Sequence, residues 1–160
     1  ESLWEADAIA CRLSRAVQSD FWRSGGDEPE MIRWLSWGKE NFVRACDLVY
    51  FQRGTKQRYG LGPIDHEQIE EGLGQFRTAA GILEALLSDR RWLVGGSVSY
   101  ADFRMATFLP FNDVAGLPLE DYTSVSRWYR QFEEIDAWRD PFRGLEAPEL
   151  PPVLKMAEPA

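Results

Sequence analysis

Few residues of this chain have side chains suited to covalent chemistry: two cysteines and one histidine stand out. A cysteine acts as a nucleophile or a metal ligand in its thiolate form, which requires exposure beside a base or a cation. Cys11 and Cys46 both lie among apolar residues in helical patterns, so we expect both to be core residues. The single histidine, His66, begins a predicted helix and is expected to be solvated, and it cannot supply a cluster of histidine metal ligands. The sequence therefore predicts no metal ion.

Paired carboxylates are the other candidates for chemistry, since glycoside hydrolases use two acidic groups on either side of one bond. Glu70 and Glu71 are adjacent in the sequence, and so are Glu133 and Glu134. Neighbouring residues of a helix point in different directions, so neither pair can converge on one substrate bond. We therefore expect no hydrolytic pair.

Ser99 and Asp102 form the clearest short motif. A serine followed three residues later by an acidic residue is the pattern of a capping box, in which the two residues satisfy each other's backbone N–H groups at the start of a helix. The segment that follows, residues 99–109, is apolar on nearly all sides, which is typical of a helix enclosed by other helices. Pro110 is predicted to end or kink it. The sequence thus predicts a capped core helix.

The first helical pattern spans residues 5–18, where apolar residues recur at intervals of three and four. Its apolar stripe consists of Ala6, Ile9, Leu13, Ala16 and Val17. Residues 19–27 contain a glycine pair among polar residues and are predicted to be a connector. Phe21 and Trp22 are the large apolar residues of this connector, and we expect them to tie it to a neighbouring surface.

A long helix is predicted from Asp27 to about Gln52. Asp27 with Glu30 is a second capping signal, and Pro29 suits a first helical turn. The apolar face of this helix is wide. That width fits two neighbours in the core, and the alternative is that part of the face lines a pocket or a subunit contact. The glycine-rich, basic segment 54–63 is predicted to be a solvated loop.

Asp65 and Gln68 mark the start of the next helix, which has the most regular periodicity in the chain. Its apolar stripe consists of Ile69, Leu73, Phe76, Ala80, Leu83 and Leu87. Gly72, Gly74 and Gly81 each cost such a helix about 1 kcal/mol relative to alanine. We therefore expect another backbone to lie close to the helix at these glycines.

Beyond the core helix, residues 112–121 are predicted to be a loop, and an amphipathic helix starts near Thr123. Asp136 is predicted to cap a short last helix, and residues 147–160 form a Pro-rich, extended tail. No alternating pattern typical of a strand occurs. The predicted fold class is therefore all-α, a helical bundle.

Length and charge limit the classes of partner. The chain has 160 residues, enough for one domain with its own core. Its net charge of −8 argues against nucleic acid and membrane surfaces, which are held mainly by lysine and arginine. No apolar run approaches the roughly 20 residues that span a bilayer, and two cysteines cannot form a disulfide framework. We therefore expect a soluble, cytoplasmic protein, and because the chain begins at Glu1 without a methionine, we expect it to be part of a longer one.

Three stretches together resemble cytosolic glutathione transferases. They are LWEADAIACRLS at residues 3–14, the helix that contains Trp34 and Trp37, and WLVGGSVSYADF at residues 92–103 with RWYRQFEEIDAWRDPF at 127–142 behind it. In that family a thioredoxin-like N-terminal domain binds glutathione, and an all-helical C-terminal domain supplies most of the pocket for the electrophilic co-substrate. The resemblance implies that this chain holds the end of the first domain and the whole of the second.

The resemblance also implies domain boundaries. Residues 1–18 would be the end of the thioredoxin-like domain, with a remnant of its last strand and its last helix, and residues 19–27 would be the interdomain linker. Residues 28–146 would be the all-helical C-terminal domain, and residues 147–160 its Pro-rich tail.

A glutathione contact follows from the same resemblance. Family members show Glu-Ser-x-Ala-Ile at the start of the third thioredoxin-domain helix, and Glu5, Ala8 and Ile9 match this pattern, whereas Ala6 replaces the serine. In the family the serine hydroxyl and backbone N–H hold the γ-glutamyl carboxylate, while the acidic side chain helps to bind the amino group. Loss of the hydroxyl removes a hydrogen bond to a charged group, typically worth about 1.5 to 3 kcal/mol. Glu5 and Ala6 are thus the predicted glutathione-binding residues, with weakened affinity.

The catalytic residue of the family is a tyrosine, serine or cysteine early in the thioredoxin-like domain, so the resemblance implies no catalytic residue in this chain. Ser99 and Asp102 match the family's buried capping box, whose role is structural. Candidates for facing the electrophile pocket are Trp34, Trp37, Asn41, Phe42, Tyr100 and Phe103.

Two functions of different classes remain open. The first is a cytoplasmic, homodimeric detoxification enzyme that, in the full-length chain, transfers glutathione to a small electrophilic molecule. The second is a glutathione-transferase-like binding or assembly module without catalysis. The replacement of serine by Ala6 favours the second, and the wide, pocket-like face of the long helix favours the first.

Overall fold

Helices are the only regular secondary structure in residues 2–146, 149, 151 and 153, the part of the chain that the computed structural model describes. The predicted all-α fold class is therefore confirmed. Residues 2–4 are irregular, and the predicted strand remnant there would need a neighbouring strand to pair with. The predicted Pro-rich tail, residues 147–160, lies outside the described residues except for three positions. Within the described part, no helix is both long and apolar enough to cross a membrane.

Nine α-helical segments follow one another along the described chain. They are α1 (Ala6–Ala16), α2 (Glu28–Gly38), α3 (Arg44–Tyr50), α4 (Lys56–Tyr59), α5 (His66–Leu87), α6 (Tyr100–Ala106), α7 (Asn112–Ala115), α8 (Thr123–Arg130) and α9 (Asp136–Arg139). Short 3₁₀ turns lie at Gly25–Asp27, Leu109–Phe111, Leu119–Asp121 and Gln131–Glu134. Two π-helical segments, Lys39–Val43 and Phe51–Thr55, join α2, α3 and α4 into one continuous helix.

This long helix continues to Tyr59, so the predicted loop at residues 54–63 was wrong for residues 54–59 and right for the rest. Gly54 lies inside the helix, and its lack of a side chain leaves room for the ring of Tyr50. A Cβ at this position would lie 2.7 Å from that ring. The helix ends at Gly60, which has the left-handed conformation (φ 63°) that favours glycine. At the other end the helix starts where predicted, but the side chain of Asp27 makes no capping hydrogen bond.

Helix α5 starts at the predicted cap, where Asp65 Oδ1 accepts a hydrogen bond from the backbone N–H of Gln68 at 3.2 Å. All six residues of its predicted stripe are buried. At Gly72 an added Cβ would lie 2.8 Å from Val49 Cγ2 and 3.3 Å from the carbonyl oxygen of Ala45, so α3 and α5 are closely packed there. The predicted close approach does not occur at the other two glycines of α5, which face open space.

Helix α6 is enclosed by the rest of the bundle, as predicted. Residues 101, 102, 105 and 106 are at most 2% exposed, and an added Cβ at Gly38 of α2 would lie 2.7 Å from Met105 Cε. The helix ends at Ala106, earlier than predicted. Thr107 Oγ1 donates to the carbonyl oxygens of residues 103 and 104, and Pro110 has no N–H to offer the carbonyl of Ala106.

Two smaller predictions about the C-terminal part need correction. The predicted loop at residues 112–121 contains α7, which Gly116 ends with φ 63°. The Asn112 side chain closes this turn, because it accepts from the backbone N–H of Leu117 at 2.8 Å and donates to its carbonyl at 3.1 Å. Asp136 is the first residue of α9 and not its cap, and its carboxylate accepts a hydrogen bond from Arg139 within the helix.

Candidate functional site

The N-terminus of α1 combines an open helix end with an unusual backbone conformation. Glu5, the residue before the helix, has φ 72° and ψ 123°, and its side chain makes no capping hydrogen bond. A positive φ is disfavoured for residues with a Cβ, and such residues cluster at functional sites. The first N–H groups of an α-helix have no partner within the helix and attract anions. Both predicted glutathione-binding residues, Glu5 and Ala6, are exposed at this end.

The start of α1 presents backbone N–H groups that can donate to an anion. The N–H groups of residues 6–8 are the donors that an anion would use, and the carboxylate of Glu5 is adjacent and exposed, where it can face an ammonium group. Ala6 presents a methyl group in place of a hydroxyl. This helix end therefore has backbone donors, no capping side chain and no hydroxyl at residue 6.

The first turn of α1 is joined to α6 through Asp7. The hydroxyl of Tyr100 donates a hydrogen bond to Asp7 Oδ1 at 2.9 Å, and Arg104 Nε lies 3.5 Å from the same oxygen. Burial raises the pKa of Tyr100, and the nearby carboxylate of Asp7 raises it further, so the phenol remains a donor. Sequence analysis missed Asp7 and Arg104. The spacing of Tyr100 and Arg104, one turn apart on α6, is the sequence pattern that could have indicated a shared partner.

The connector between α1 and α2 packs against the same part of α6. The ring of Trp22 stacks on Tyr100 with 5.8 Å between ring centroids, and Phe21 meets Tyr100 edge-on at 5.9 Å. The backbone N–H of Tyr100 donates to the carbonyl of Phe21 at 2.8 Å. The expectation that both aromatic residues tie the connector to a neighbouring surface is therefore confirmed.

Arg23 fixes the connector to the loop before α6 and was missed by sequence analysis. It is 3% exposed and donates to Ser97 Oγ at 2.9 Å and to the carbonyl of Val98 at 3.3 Å. It also pairs with the carboxylate of Asp20 and bonds to the backbone carbonyl of Ser97. An arginine in a polar connector looks solvated in the sequence, because Ser97 and Val98 lie more than seventy residues away.

The six residues predicted to face an electrophile pocket do not share one cavity. Trp37 and Asn41 line a surface groove of about 320 Å³ between the long helix and α5. Trp34 is buried and meets Trp37 edge-on at 5.4 Å. Phe42 is 0% exposed and packs against Phe76 in the core, at 5.4 Å between ring centroids.

Tyr100 and Phe103 of α6 belong to an aromatic cluster. Phe103 is edge-on to Phe21 and to Trp138, each at 5.1 Å between centroids, and it contacts Phe132 at 5.5 Å. This cluster joins the connector, α6 and the C-terminal helices. Of the six predicted residues, Tyr100 is the one with a hydrogen bond to the first turn of α1.

The predicted capping box at Ser99 and Asp102 is present and is part of a larger network. Asp102 is 0% exposed, and its oxygens accept from the N–H and hydroxyl of Ser99 at 2.9 and 2.7 Å. They also accept from the N–H of Leu93 and the indole of Trp128, each at 2.9 Å. Burial raises the pKa of Asp102, and the four donated hydrogen bonds oppose that rise. The carboxylate thus joins three separate segments of the chain.

The remaining chemical candidates are the two cysteines and the histidine. Cys46 is buried, and burial raises the pKa of its thiol well above the usual range, which confirms it as a core residue. Cys11 is half-buried and lines a surface groove on α1, so its expected place in the core was wrong, because little of α1 is covered. His66 is exposed, as predicted. Among the described residues no group of three or more potential ligands is placed to hold a metal ion.

The apolar stripe predicted on α1 faces solvent. Leu13 is 59% and Val17 is 72% exposed, and Ile9, Trp4 and Leu3 are also exposed. Within the described residues, Ser14 is the one buried residue of this helix. An apolar stripe of this size on an amphipathic helix normally packs against another element.

Comparison with known proteins was made on both sequence and structure. Residues 67–131 match the family model of the glutathione S-transferase C-terminal domain. The chain is 27% identical over 119 residues to FtsZ-localized protein A of Caulobacter vibrioides, a match that covers 73% of this chain and 52% of that protein. The chain thus spans about half the length of this curated relative.

Two solved structures have the same fold. One is a glutathione S-transferase from Rhodospirillum rubrum F11, with a TM-score of 0.74 and 26% identity over 92% of this chain and 72% of that one. The other is a glutathione S-transferase-I bound with lactoylglutathione, with a TM-score of 0.77 and 20% identity over 86% of this chain and 68% of that one. These matches confirm the resemblance to glutathione transferases and the all-α fold of their C-terminal domain.

Proposed function

We propose that this chain is part of a glutathione transferase in which the N-terminus of α1 holds the γ-glutamyl carboxylate of glutathione. The observation that supports this most is the exposed start of α1, where Glu5 has a positive φ and no side chain caps the helix. An open helix end binds anions, and disfavoured backbone conformations cluster at ligand sites. The glutathione transferase fold of the rest of the chain supports the same assignment.

The exposed stripe of α1 supports the division into domains. We assign residues 1–18 to the end of a thioredoxin-like domain, residues 19–27 to the interdomain linker and residues 28–146 to the helical C-terminal domain. An upstream part of the thioredoxin-like domain would cover the solvent-facing side chains of Leu13 and Val17. Arg23 and the two aromatic residues of the connector already hold the linker against the helical part.

In this proposal the chain binds and orients glutathione, and the residue that activates the thiol lies in the upstream part of the full-length protein. The backbone N–H groups at residues 6–8 bind the carboxylate, and Glu5 faces the ammonium group of the same γ-glutamyl unit. Glutathione supplies the thiolate that attacks an electrophilic carbon, and the residue that lowers the thiol pKa belongs to the upstream part of the full-length protein. The aromatic cluster around Tyr100 and Phe103 and the groove at Trp37 and Asn41 are the candidate surfaces for the electrophile.

The cellular setting follows from the same proposal. We assign the full-length protein to the cytoplasm, as a homodimeric enzyme that detoxifies small electrophilic molecules. The candidate surface for the subunit contact is the part of the long helix where Ile32 is exposed.

The substitution Ala6→Ser tests the glutathione site. In the full-length protein the added hydroxyl supplies a further donor to the carboxylate, and hydrogen bonds to charged groups contribute about 1.5 to 3 kcal/mol. We therefore expect the Kd of glutathione, measured by titration calorimetry, to fall about tenfold. Ala16→Ser, at the other end of the same helix, is the matched control and should leave the Kd unchanged. An unchanged Kd for Ala6→Ser would show that the carboxylate lies elsewhere.

A non-catalytic binding or assembly module is the second candidate function. Two observations favour it: Ala6 lacks the hydroxyl that the family uses, and one relative is named for its localization with FtsZ and not for a reaction. A rate assay of the full-length protein with glutathione and an aryl halide separates the two functions. Formation of the thioether conjugate at a rate above the uncatalysed reaction supports the enzyme, and no rate above background together with intact folding supports the binding module.

A further inference from the structure

Helix α1 contacts the helical bundle through few residues, and Ala10 in its middle packs against the core. Within the described residues Ser14 is its one buried residue. Near its C-terminus Arg15 pairs with Glu28 of α2 at 3.3 Å. At the first turn the contact is made by Asp7. The orientation of the first turn therefore depends on what Asp7 binds.

Asp7 binds a rigid part of the molecule. Its partner Tyr100 is the first residue of α6, the helix whose start is fixed by the buried Asp102 network. The Tyr100 ring is held by Trp22 and Phe21, and its backbone N–H is bonded to the connector. The Tyr100 hydroxyl is therefore a fixed donor, and a carboxylate bonded to it at 2.9 Å takes a fixed position.

The charge of Arg104 adds to this contact. Arg104 Nε is buried and makes no hydrogen bond among the described residues, and it lies 3.5 Å from Asp7 Oδ1. Its interaction with Asp7 is thus electrostatic and only weakly directional. The direction of the contact comes from the hydrogen bond of Tyr100.

We propose that Tyr100 is a positioning residue whose hydrogen bond to Asp7 sets the orientation of the first turn of α1 and, through it, the affinity for the γ-glutamyl carboxylate of glutathione. This inference rests on the proposed glutathione site. Asp7 directly follows Ala6, and the N–H groups of these two residues are among the proposed donors. A disfavoured conformation such as that of Glu5 persists only where its surroundings hold it, and the Asp7 contact is two residues away from it. A ligand bound at several points loses affinity when one set of donors is displaced.

Tyr100→Phe in the full-length protein tests the proposal. The substitution removes the hydroxyl and keeps the ring that packs on Trp22 and Phe21. We expect the Kd of glutathione to rise about tenfold, as for the loss of one hydrogen bond to a charged group. The inhibition constant of cysteinylglycine, which lacks the γ-glutamyl unit, should not change. Asp7→Ala removes the acceptor of the Tyr100 hydroxyl and should weaken glutathione binding. Asp7→Asn keeps an acceptor oxygen and should retain most of the affinity for glutathione.

Tyr122→Phe is the matched control. It also removes a tyrosine hydroxyl that makes one hydrogen bond, here to the carbonyl of Arg77 at 3.2 Å on another side of the bundle, and it should leave the Kd of glutathione unchanged. If Tyr100→Phe has the same Kd for glutathione as the wild type, the positioning role is overturned and the proposed glutathione site is not. An equal loss of affinity for cysteinylglycine in Tyr100→Phe would overturn the positioning role and indicate a general loss of stability. An equal loss of affinity for glutathione in Tyr122→Phe would do the same. A wild-type protein that does not bind glutathione overturns the proposed function and this inference with it.

Discussion

Asp102 shows how a single residue organises this fold. Its carboxylate accepts hydrogen bonds from the loop at Leu93, from the cap at Ser99 and from α8 through Trp128. These three segments surround the start of α6, the helix that presents Tyr100 to α1. The residue that the sequence identifies as a cap thus also fixes the position of the donor that holds Asp7.

Replacing Asp102 should therefore cost more than the loss of an ordinary cap. Asp102→Ala leaves four donors without their acceptor, and breaking a buried network of this kind exceeds the about 1 kcal/mol typical of an exposed cap. We expect the free energy of unfolding, measured by urea denaturation, to fall by about 3 to 5 kcal/mol. Asp113→Ala removes an exposed carboxylate with a local bond and should change it by less than about 1 kcal/mol. Equal effects of the two substitutions would contradict the network.

At this scale the sequence reveals local partners and conceals distant ones. The pairing of Ser99 with Asp102 was predictable because the two residues are three positions apart on one helix start. The contribution of Trp128 was not, since it lies 26 positions away, and the bond of Arg23 to Ser97 spans 74 positions. Long-range partners depend on how the helices pack, and the residues next to a position in the sequence do not show this.

Helices α3 and α5 pack closely because Gly72 of α5 has no side chain at their crossing. At Gly72 an added methyl group would meet Val49 and the backbone of Ala45, whereas Gly74 faces open space. All three glycines of α5 looked alike in the sequence. The spacing of the stripe predicted which face is buried, but the one glycine at the helix crossing could be identified only from the packing.

Gly72→Ala and Gly74→Ala form a matched pair. Alanine favours a helix by about 1 kcal/mol over glycine at either position, but overpacking at Gly72 costs about 1 to 3 kcal/mol. We expect Gly74→Ala to raise the free energy of unfolding by about 0.5 to 1 kcal/mol and Gly72→Ala to lower it by about 1 kcal/mol. A gain in stability for both variants would show that α3 and α5 have room to separate.

Helix α8 begins with a cap from another helix, and this contact depends on pH. Glu84 of α5 accepts hydrogen bonds from the N–H groups of Ser124 and Val125 at 2.9 and 3.0 Å. Partial burial tends to raise the pKa of Glu84, but these hydrogen bonds and the charge of Arg127 outweigh it and lower the pKa below its ordinary value of 4.5. The ionised form is therefore favoured in the folded state, and the stabilisation is lost as pH falls through the lowered pKa.

The substitution Glu84→Gln makes this pH dependence measurable. Above pH 4.5 the wild type should be more stable than the variant by about 1 kcal/mol, a typical value for a helix cap. The difference should shrink as the pH falls below that value, since protonated Glu84 resembles glutamine. Thermal unfolding of both proteins between pH 3 and pH 7, about the range over which carboxyl groups titrate, provides the comparison. A difference that stays constant over this range would contradict the assignment.

The whole molecule consists of a well-packed helical bundle and one helix that is only partly covered. Sequence periodicity predicted that α1 and α5 are both amphipathic helices, and their apolar stripes look alike in the sequence. The stripe of α5 is buried, whereas Leu13 and Val17 of α1 are mostly exposed. Periodicity shows that a face is apolar but not which element covers it, so the place of α1 depends on the family resemblance and on the contacts of Asp7.

The central claim is that the N-terminus of α1 binds glutathione. The most direct measurement is an NMR titration of the full-length protein, labelled with ¹⁵N at alanine, with glutathione. The account predicts that the amide resonances of Ala6 and Ala8 shift in a saturable manner with one Kd, while that of Ala16 at the other end of α1 does not move. Saturable binding that leaves Ala6 and Ala8 unperturbed, or no binding of glutathione at all, would contradict it.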